Sequence, residues 1–257
     1  MSLKIDPGIK GQLWSKVSDF EDYPPKSEAV ALTFDIDWVC DEILEDCIEL
    51  VEKTGAPATW FVTHDTRLLE RLRANKQFEL GIHPNFNALL DGGSGHAEEI
   101  LDKILEIVPE AVSVRSHSLV NSSRLVELFH KKGLLFECND FIPAQSKIIL
   151  KPWAVWNGMV KIPHFWEDDA ECLYNSALTI EELLSVNGIK VFDFHPIHVY
   201  LNTADLALYD STRRLHTKPS ELIQHRCDGV GTRSLLLDLL CAFNDNGFIL
   251  SKGDNPK

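Results

Sequence analysis

The chain has 257 residues, 44% of them hydrophobic and 25% charged, a globular mix that excludes disorder, collagen-like repeats and coiled coil as overall descriptions. Its 25 Lys and Arg stand against 39 Asp and Glu, a net charge of −14, which argues against nucleic acid and against anionic lipid as partners. The length allows one large α/β domain or two small ones, with a core large enough to need no cross-links, and a single domain over residues 1–257 is expected.

The first residues, Met1-Ser2-Leu3-Lys4-Ile5-Asp6-Pro7-Gly8, lack the apolar stretch of a secretion signal. Ala29 to Asp35 reads as a strand, and Asp41 to Lys53 as a helix with apolar residues at Ile43, Leu44, Cys47, Ile48 and Val51, stopped by Gly55. Ala58 to Thr63 is a second predicted strand, followed by a short helix from Arg67 to Ala74. Phe78 to His83 is a third strand; a Gly-rich loop and a helix from Ala97 to Ile107 follow. Val112 to Arg115 is a fourth strand, Ser122 to Lys132 a helix, and Leu134 to Cys138 a fifth strand. Met159 to Pro163 and Val191 to His195 bring the strands to about seven, with helices near Ile180–Ser185 and Ser234–Phe243. Alternating units of this kind predict an α/β fold with a parallel sheet, closed or nearly closed as a TIM-like (β/α)7 barrel. No window approaches the ~18 uninterrupted apolar residues of a membrane span. The six cysteines form no Cys-x-x-Cys pair and read as reduced, so the cytoplasm is the expected compartment.

In such barrels chemistry sits where strands end. Asp35 and Asp37, two apart, project together after the first strand. Two close carboxylates need a cation or a proton between them; an Asx turn accounts for them equally well. His83 and Asn87, four apart, follow the third strand and share a face if a helical turn begins there. A lone His at a strand end is also an ordinary hydrogen-bonded loop residue. Arg115 and His117 share a face after the fourth strand, where Arg either orients a carboxylate or makes a rim ion pair. After the last strand, Asp193 shares a face with His195, and His198 follows. An Asp so placed would hold the imidazole and raise its pKa, making His195 a general acid; a satisfied core His is the competing reading. Trp153, Trp156, His164 and Trp166 form an aromatic-rich stretch that either packs in the core or stacks on sugar rings, while Glu167, Asp168 and Asp169 read as a solvated loop.

The run Leu32-Thr33-Phe34-Asp35-Ile36-Asp37 resembles the first motif of the polysaccharide deacetylase (NodB-homology) family, in its Thr-Phe-Asp-x-Asp form. The resemblance extends from about Ala29 to Asn202 in the family's motif order. It implies an irregular barrel of fewer than eight strands and a divalent metal, usually zinc, that helps water remove acetyl groups from sugars. By the same resemblance Asp35 is the base, Asp37 and His83 are metal ligands, and Asn87 stands where a second ligand His is expected. Arg115 positions the base, His195 is the acid with Asp193 beside it, and His198 is a further candidate as acid or ligand. His117, His164, Trp166 and His198 are expected at the substrate. Phe136-Glu137-Cys138-Asn139-Asp140 is a weak match to the fourth motif. The strings GIHPNFN, RSHSL and HPIHVYLNT resemble a subgroup of O-antigen and surface-polysaccharide synthesis, so a sugar or oligosaccharide intermediate is the implied partner. The departure at Asn87 leaves open a catalytically impaired sugar- or partner-binding barrel, and a hydrolase of another small amide is a third reading.

Overall fold

The run AVALTFD over Ala29–Asp35 is buried along its whole length, as a strand covered on both faces must be. In the computed structural model, which describes residues 13–22, 28–174 and 178–245, this strand lies inside a ten-stranded sheet. In chain order the strands are β1 (Leu13–Ser15), β2 (Ala29–Asp35), β3 (Ala58–Val62), β4 (Phe78–Ile82), β5 (Ser113–Val114), β6 (Phe136–Glu137), β7 (Trp153–Ala154), β8 (Val160–Lys161), β9 (Trp166–Glu167) and β10 (Lys190–Phe194). They lie side by side as β7-β8-β6-β5-β4-β3-β2-β10-β9, with β1 also on β2. Every pair is parallel except β7 with β8.

β8 pairs with β6 near one end of this path and β9 pairs with β10 at the other, yet only residues 162–165 separate β8 from β9 in the chain. A bridge between Phe141 and His164, and a hydrogen bond from the Phe165 N–H to the Val191 carbonyl (3.2 Å), hold that connection between the two ends. The sheet thereby curls into an irregular (β/α) barrel. Helices cover its outside. Asp41–Glu52 buries the five apolar residues expected from its spacing, and Gly55 (φ +71°) follows it. Ser122 caps Ser123–Lys131 by accepting the Leu125 N–H at 3.2 Å. Three strands escape the sequence reading: β1, β7 and β9, of three, two and two residues. No helix among the described residues is long and apolar enough to cross a membrane.

The barrel interior is partly polar. Thr33 and Asp193 on β2 and β10 are hydrogen bonded (3.1 Å), and Ser113 donates to Glu79 at 2.8 Å. Gly81 on β4 makes room for this filling. A Cβ there would lie 2.6 Å from the Phe61 ring and 2.6 Å from Ser113 Oγ.

Candidate active site

Sheet hydrogen bonding continues past the strand ends and fixes the loops that carry the polar groups. The His83 N–H bonds to the Val62 carbonyl (2.8 Å), the Arg115 N–H to Ile82 (3.1 Å) and the His117 N–H to Pro84 (3.0 Å). Asp37 and Trp38 after β2, and Ser118 and Leu119 after His117, all have positive φ (35°, 53°, 57° and 54°). For residues with a Cβ this costs of order 1–3 kcal/mol each and persists only where surrounding contacts enforce it. Here it turns Asp37 and His117 toward each other.

Asp37 Oδ1 lies 3.3 Å from His83 Nε2 and 3.2 Å from His117 Nδ1, and the two ring nitrogens are 3.2 Å apart. The edges are nearly equal. A tetrahedral ion with ligand bonds of about 2.0–2.1 Å would separate its ligands by about 3.3–3.4 Å. Asp37 Oδ1 is buried and without a hydrogen-bond partner, an orphan acceptor aimed into the triangle. One carboxylate and two imidazoles with an unsatisfied oxygen fit a divalent cation of the zinc type. Burial pushes the Asp37 carboxyl up, but the His117 and His83 rings and the charge on His195 outweigh it, leaving it far below the usual range. Contact with Asp37 raises His117 in turn.

Asp35 sits behind this triangle. Its Oδ1 accepts from Arg115 at 3.0 Å, and its Oδ2 is 3.4 Å from His83 Nδ1. Arg115 is fully buried. It spans Asp35 and Asp193, donates to Thr33 (2.9 Å) and to the Cys138 carbonyl (3.3 Å), and lies over the Phe61 ring at 4.6 Å. Burial works against its charge, but the two carboxylates hold the guanidinium proton still more firmly. Burial, reinforced by Asp35, leaves the Asp193 carboxyl well above its ordinary range despite Arg115.

His195 follows β10. Asp168 clamps it twice, taking the ring Nδ1 at 2.7 Å and the backbone N–H at 2.7 Å. Its Nε2 lies 3.6 Å from Asp37 Oδ2. Burial disfavours charge on this ring, but Asp168, Asp169 and Asp37 raise its pKa well above the histidine norm. The donors open onto a cavity of about 330 Å³ whose walls include Asp37, Trp38, His117, Asp169, His195 and Tyr209.

A sequence profile of WbmS-like polysaccharide deacetylases matches residues 32–213. The chain belongs to this polysaccharide deacetylase family. A crystal structure from Bordetella bronchiseptica, described as a candidate polysaccharide deacetylase involved in O-antigen biosynthesis (WbmS), is 43% identical with a TM-score of 0.84, covering 91% of this chain and 98% of that one. A candidate polysaccharide deacetylase from Mycobacterium smegmatis (17% identity, TM-score 0.44, 91% of this chain and 96% of that one) is far more remote. So is a 4-alpha-glucanotransferase from Thermococcus litoralis (12% identity, TM-score 0.48, 86% and 36%). No curated protein sequence matches significantly.

In this deacetylase Asp35, Asp37, His83, Arg115 and His195 converge at one mouth, whereas His117, Asn87, Asp193, Asp168, His164 and Trp166 stand elsewhere than the sequence suggested. His117, expected at the substrate, stands in the donor triangle. Asn87 begins the short helix Asn87–Leu90 and donates to Ser118 Oγ at 3.0 Å. Asp193 holds Arg115, because its side chain lies inside the barrel beside Thr33; Asp168, read from sequence as part of a solvated loop, is buried and holds His195. His198 borders the cavity with both ring nitrogens engaged, by Asp169 (2.6 Å) and Thr203 (3.0 Å). His164 is fully buried, stacked on Phe141 and 3.2 Å from Glu167, and Trp166 packs on Phe192 and Phe194; neither borders the catalytic cavity. Trp38 and Tyr209, which do, carried no motif that spacing alone could single out.

Proposed function

We propose that this deacetylase removes the acetyl group from the nitrogen of an N-acetylated sugar, using a divalent cation, zinc by donor chemistry, held by Asp37, His83 and His117. The observation that carries this reading is the near-equilateral triangle of donors with the orphaned Asp37 oxygen at one corner, facing the His195–Asp168 pair. When bound, the cation supplies Lewis-acid polarisation of the acyl carbonyl and makes a neighbouring water more acidic. Asp35, aimed by the Arg115 guanidinium at 3.0 Å, takes a proton from the attacking water. The water oxygen bonds to the acyl carbon as the carbon–nitrogen bond breaks. His195, charged through Asp168, gives its proton to the departing nitrogen, a step an amide needs because an unprotonated amine leaves poorly. Acetate and a free amino sugar result.

The likeness to WbmS of Bordetella bronchiseptica supports O-antigen or related surface-polysaccharide assembly as the setting. The impaired-barrel alternative drew on Asn87, and the presence of His117 as a third donor speaks against it. Metal analysis of the purified protein, with acetate release from N-acetyl sugars, tests the reading. One bound equivalent and chelator-sensitive release are expected. No release with any divalent cation overturns the activity, and release untouched by chelation overturns the metal.

A further inference from the structure

The run Phe136-Glu137-Cys138-Asn139-Asp140 puts no side chain on the wall of the catalytic cavity, yet it grips the segment that carries Arg115 and His117 at two adjacent points. β5 and β6 pair in parallel at Ser113–Phe136 and Val114–Glu137, and the Phe136 and Cys138 N–H groups bond to the Val112 (3.0 Å) and Val114 (2.9 Å) carbonyls. In an evenly spaced parallel ladder the Ser116 N–H would next take the Cys138 carbonyl. Instead that carbonyl accepts from Arg115 Nε at 3.3 Å, and the Ser116 N–H bonds to Asn139 Oδ1 at 2.6 Å. Asn139 is itself held in place. Its N–H donates to Glu137 Oε1 (3.1 Å), and Lys161 Nζ lies 2.7 Å from Glu137 Oε2 and 2.8 Å from Asp140 Oδ2. Ser116, Glu137 and Asn139 are all buried, so an unmet N–H at Ser116 would carry its full desolvation cost.

We propose that Asn139 is a positioning residue for the donor triangle. Its side-chain oxygen replaces the ladder acceptor given up to Arg115, so the chain leaves the sheet at Ser116 and brings His117 to Asp37. The proposal rests on the reading of Asp37, His83 and His117 as cation donors and extends it to the group that places the third. The path of the chain beyond Ser116 fits this role. The His117 N–H crosses to the Pro84 carbonyl (3.0 Å), and Ser118 and Leu119 take positive φ (57° and 54°). Without Oδ1, the Ser116 N–H is left to the Cys138 carbonyl. Pairing there draws Ser116 along β6, competes with Arg115 for one oxygen, and carries His117 Nδ1 away from Asp37 Oδ1, which lies 3.2 Å from it.

Zinc affinity of the purified full-length chain, read by competition with a chromophoric chelator, tests this. Asn139→Leu keeps the bulk but has no acceptor, and it weakens zinc binding about 10- to 100-fold, the usual cost of losing a group that supports a ligand. Asn139→Asp keeps an oxygen for the Ser116 N–H and stays within about threefold of the wild type. In a His117→Ala background Asn139→Leu adds less than about threefold, because the ligand it places is gone. Asn139→Ser, whose shorter side chain stops short of the Ser116 N–H, takes the place of the leucine variant should that one fail to fold. Unchanged zinc affinity in folded Asn139→Leu or Asn139→Ser, an equal loss with His117 already removed, or an Asn139→Asp variant as weak as Asn139→Leu each overturns the proposal. Zinc binding by the wild type that no Asn139 variant weakens sinks the positioning role and keeps the donor triangle; no zinc binding by the wild type sinks the triangle and the positioning role with it.

Discussion

His195 Nδ1 lies 2.7 Å from Asp168 Oδ1, while the other oxygen of the same carboxylate accepts the His195 N–H at 2.7 Å. Ring and backbone are thus fixed by a single side chain, and Nε2 is left facing Asp37. This two-point clamp sets both the tautomer and the charge of the proposed proton donor. Asp168→Asn keeps the shape but removes the negative charge. Acetate release should fall about 100-fold or more, the usual contribution of a positioned acid, with the far-ultraviolet circular dichroism spectrum unchanged. A loss under threefold would show that His195 does not depend on Asp168.

The donor triangle makes a contrast between two residues that lie close in space. His117→Ala should weaken metal binding by at least about 100-fold, since even loss of a group supporting a ligand costs about 10- to 100-fold. Asn87→Ala should leave metal affinity within about threefold. Competition titration against a chromophoric chelator reads both, and the opposite ranking would restore Asn87 as the ligand.

Arg115 neutralises two buried carboxylates at once. Arg115→Met leaves both without a cation and should cost about 3–5 kcal/mol in urea unfolding. Adding Asp193→Asn to that variant should recover part of the loss, because a buried carboxyl left without its partner is replaced by an amide of the same shape. Simple additivity of the two substitutions would contradict the shared clamp.

Gly81→Ala forces a methyl group to within 2.6 Å of Phe61, which itself supports Arg115. Overpacking of this kind should destabilise by about 1–3 kcal/mol and lower activity through the displaced guanidinium. Denaturant midpoints and acetate release together check it; a neutral outcome in both would mean the barrel interior yields freely there.

Burial raises the Glu79 carboxyl above its ordinary value of 4.5, against hydrogen bonds from Ser18 and Ser113. Below that value both folded and unfolded chains hold the proton. Above it the unfolded chain ionises first, so stability falls as pH rises from 4.5 to the raised folded pKa, then levels off. Glu79→Gln lacks this fall. Urea unfolding of both proteins across that interval should show the wild type losing stability relative to the variant as pH increases, and a pH-independent difference would refute it.

Asp35, Asp37, His83, Arg115 and His195 are legible in the sequence because each lies at or just beyond the end of an apolar run that reads as a strand. The parallel barrel is legible for the same reason. His117 is misread because spacing along the chain counts four residues from His83 to Asn87, whereas the approach of His117 depends on β4 and β5 pairing at Ile82 and Val114. Asp168 is misread because the strand it follows, β9, owes its place to pairing with β10, far along the chain. Asp193 and His195 share a strand period, but His195 lies beyond β10 at the start of the helix Pro196–Leu201, and the period no longer holds there.

Asp37, His83 and His117, the proposed cation donors, all belong to the first half of the chain, whereas Asp168 and His195 follow β9 and β10 in the second. Synthesis proceeds from the amino end, so a nascent polypeptide emerging from the ribosome exposes its ion-gathering loops well before its proton donor exists. Hydrolytic competence therefore arrives only with the closing stretch of translation, and a prematurely terminated product ending before Asp168 would keep the ion-gathering residues while having nothing to release the amine.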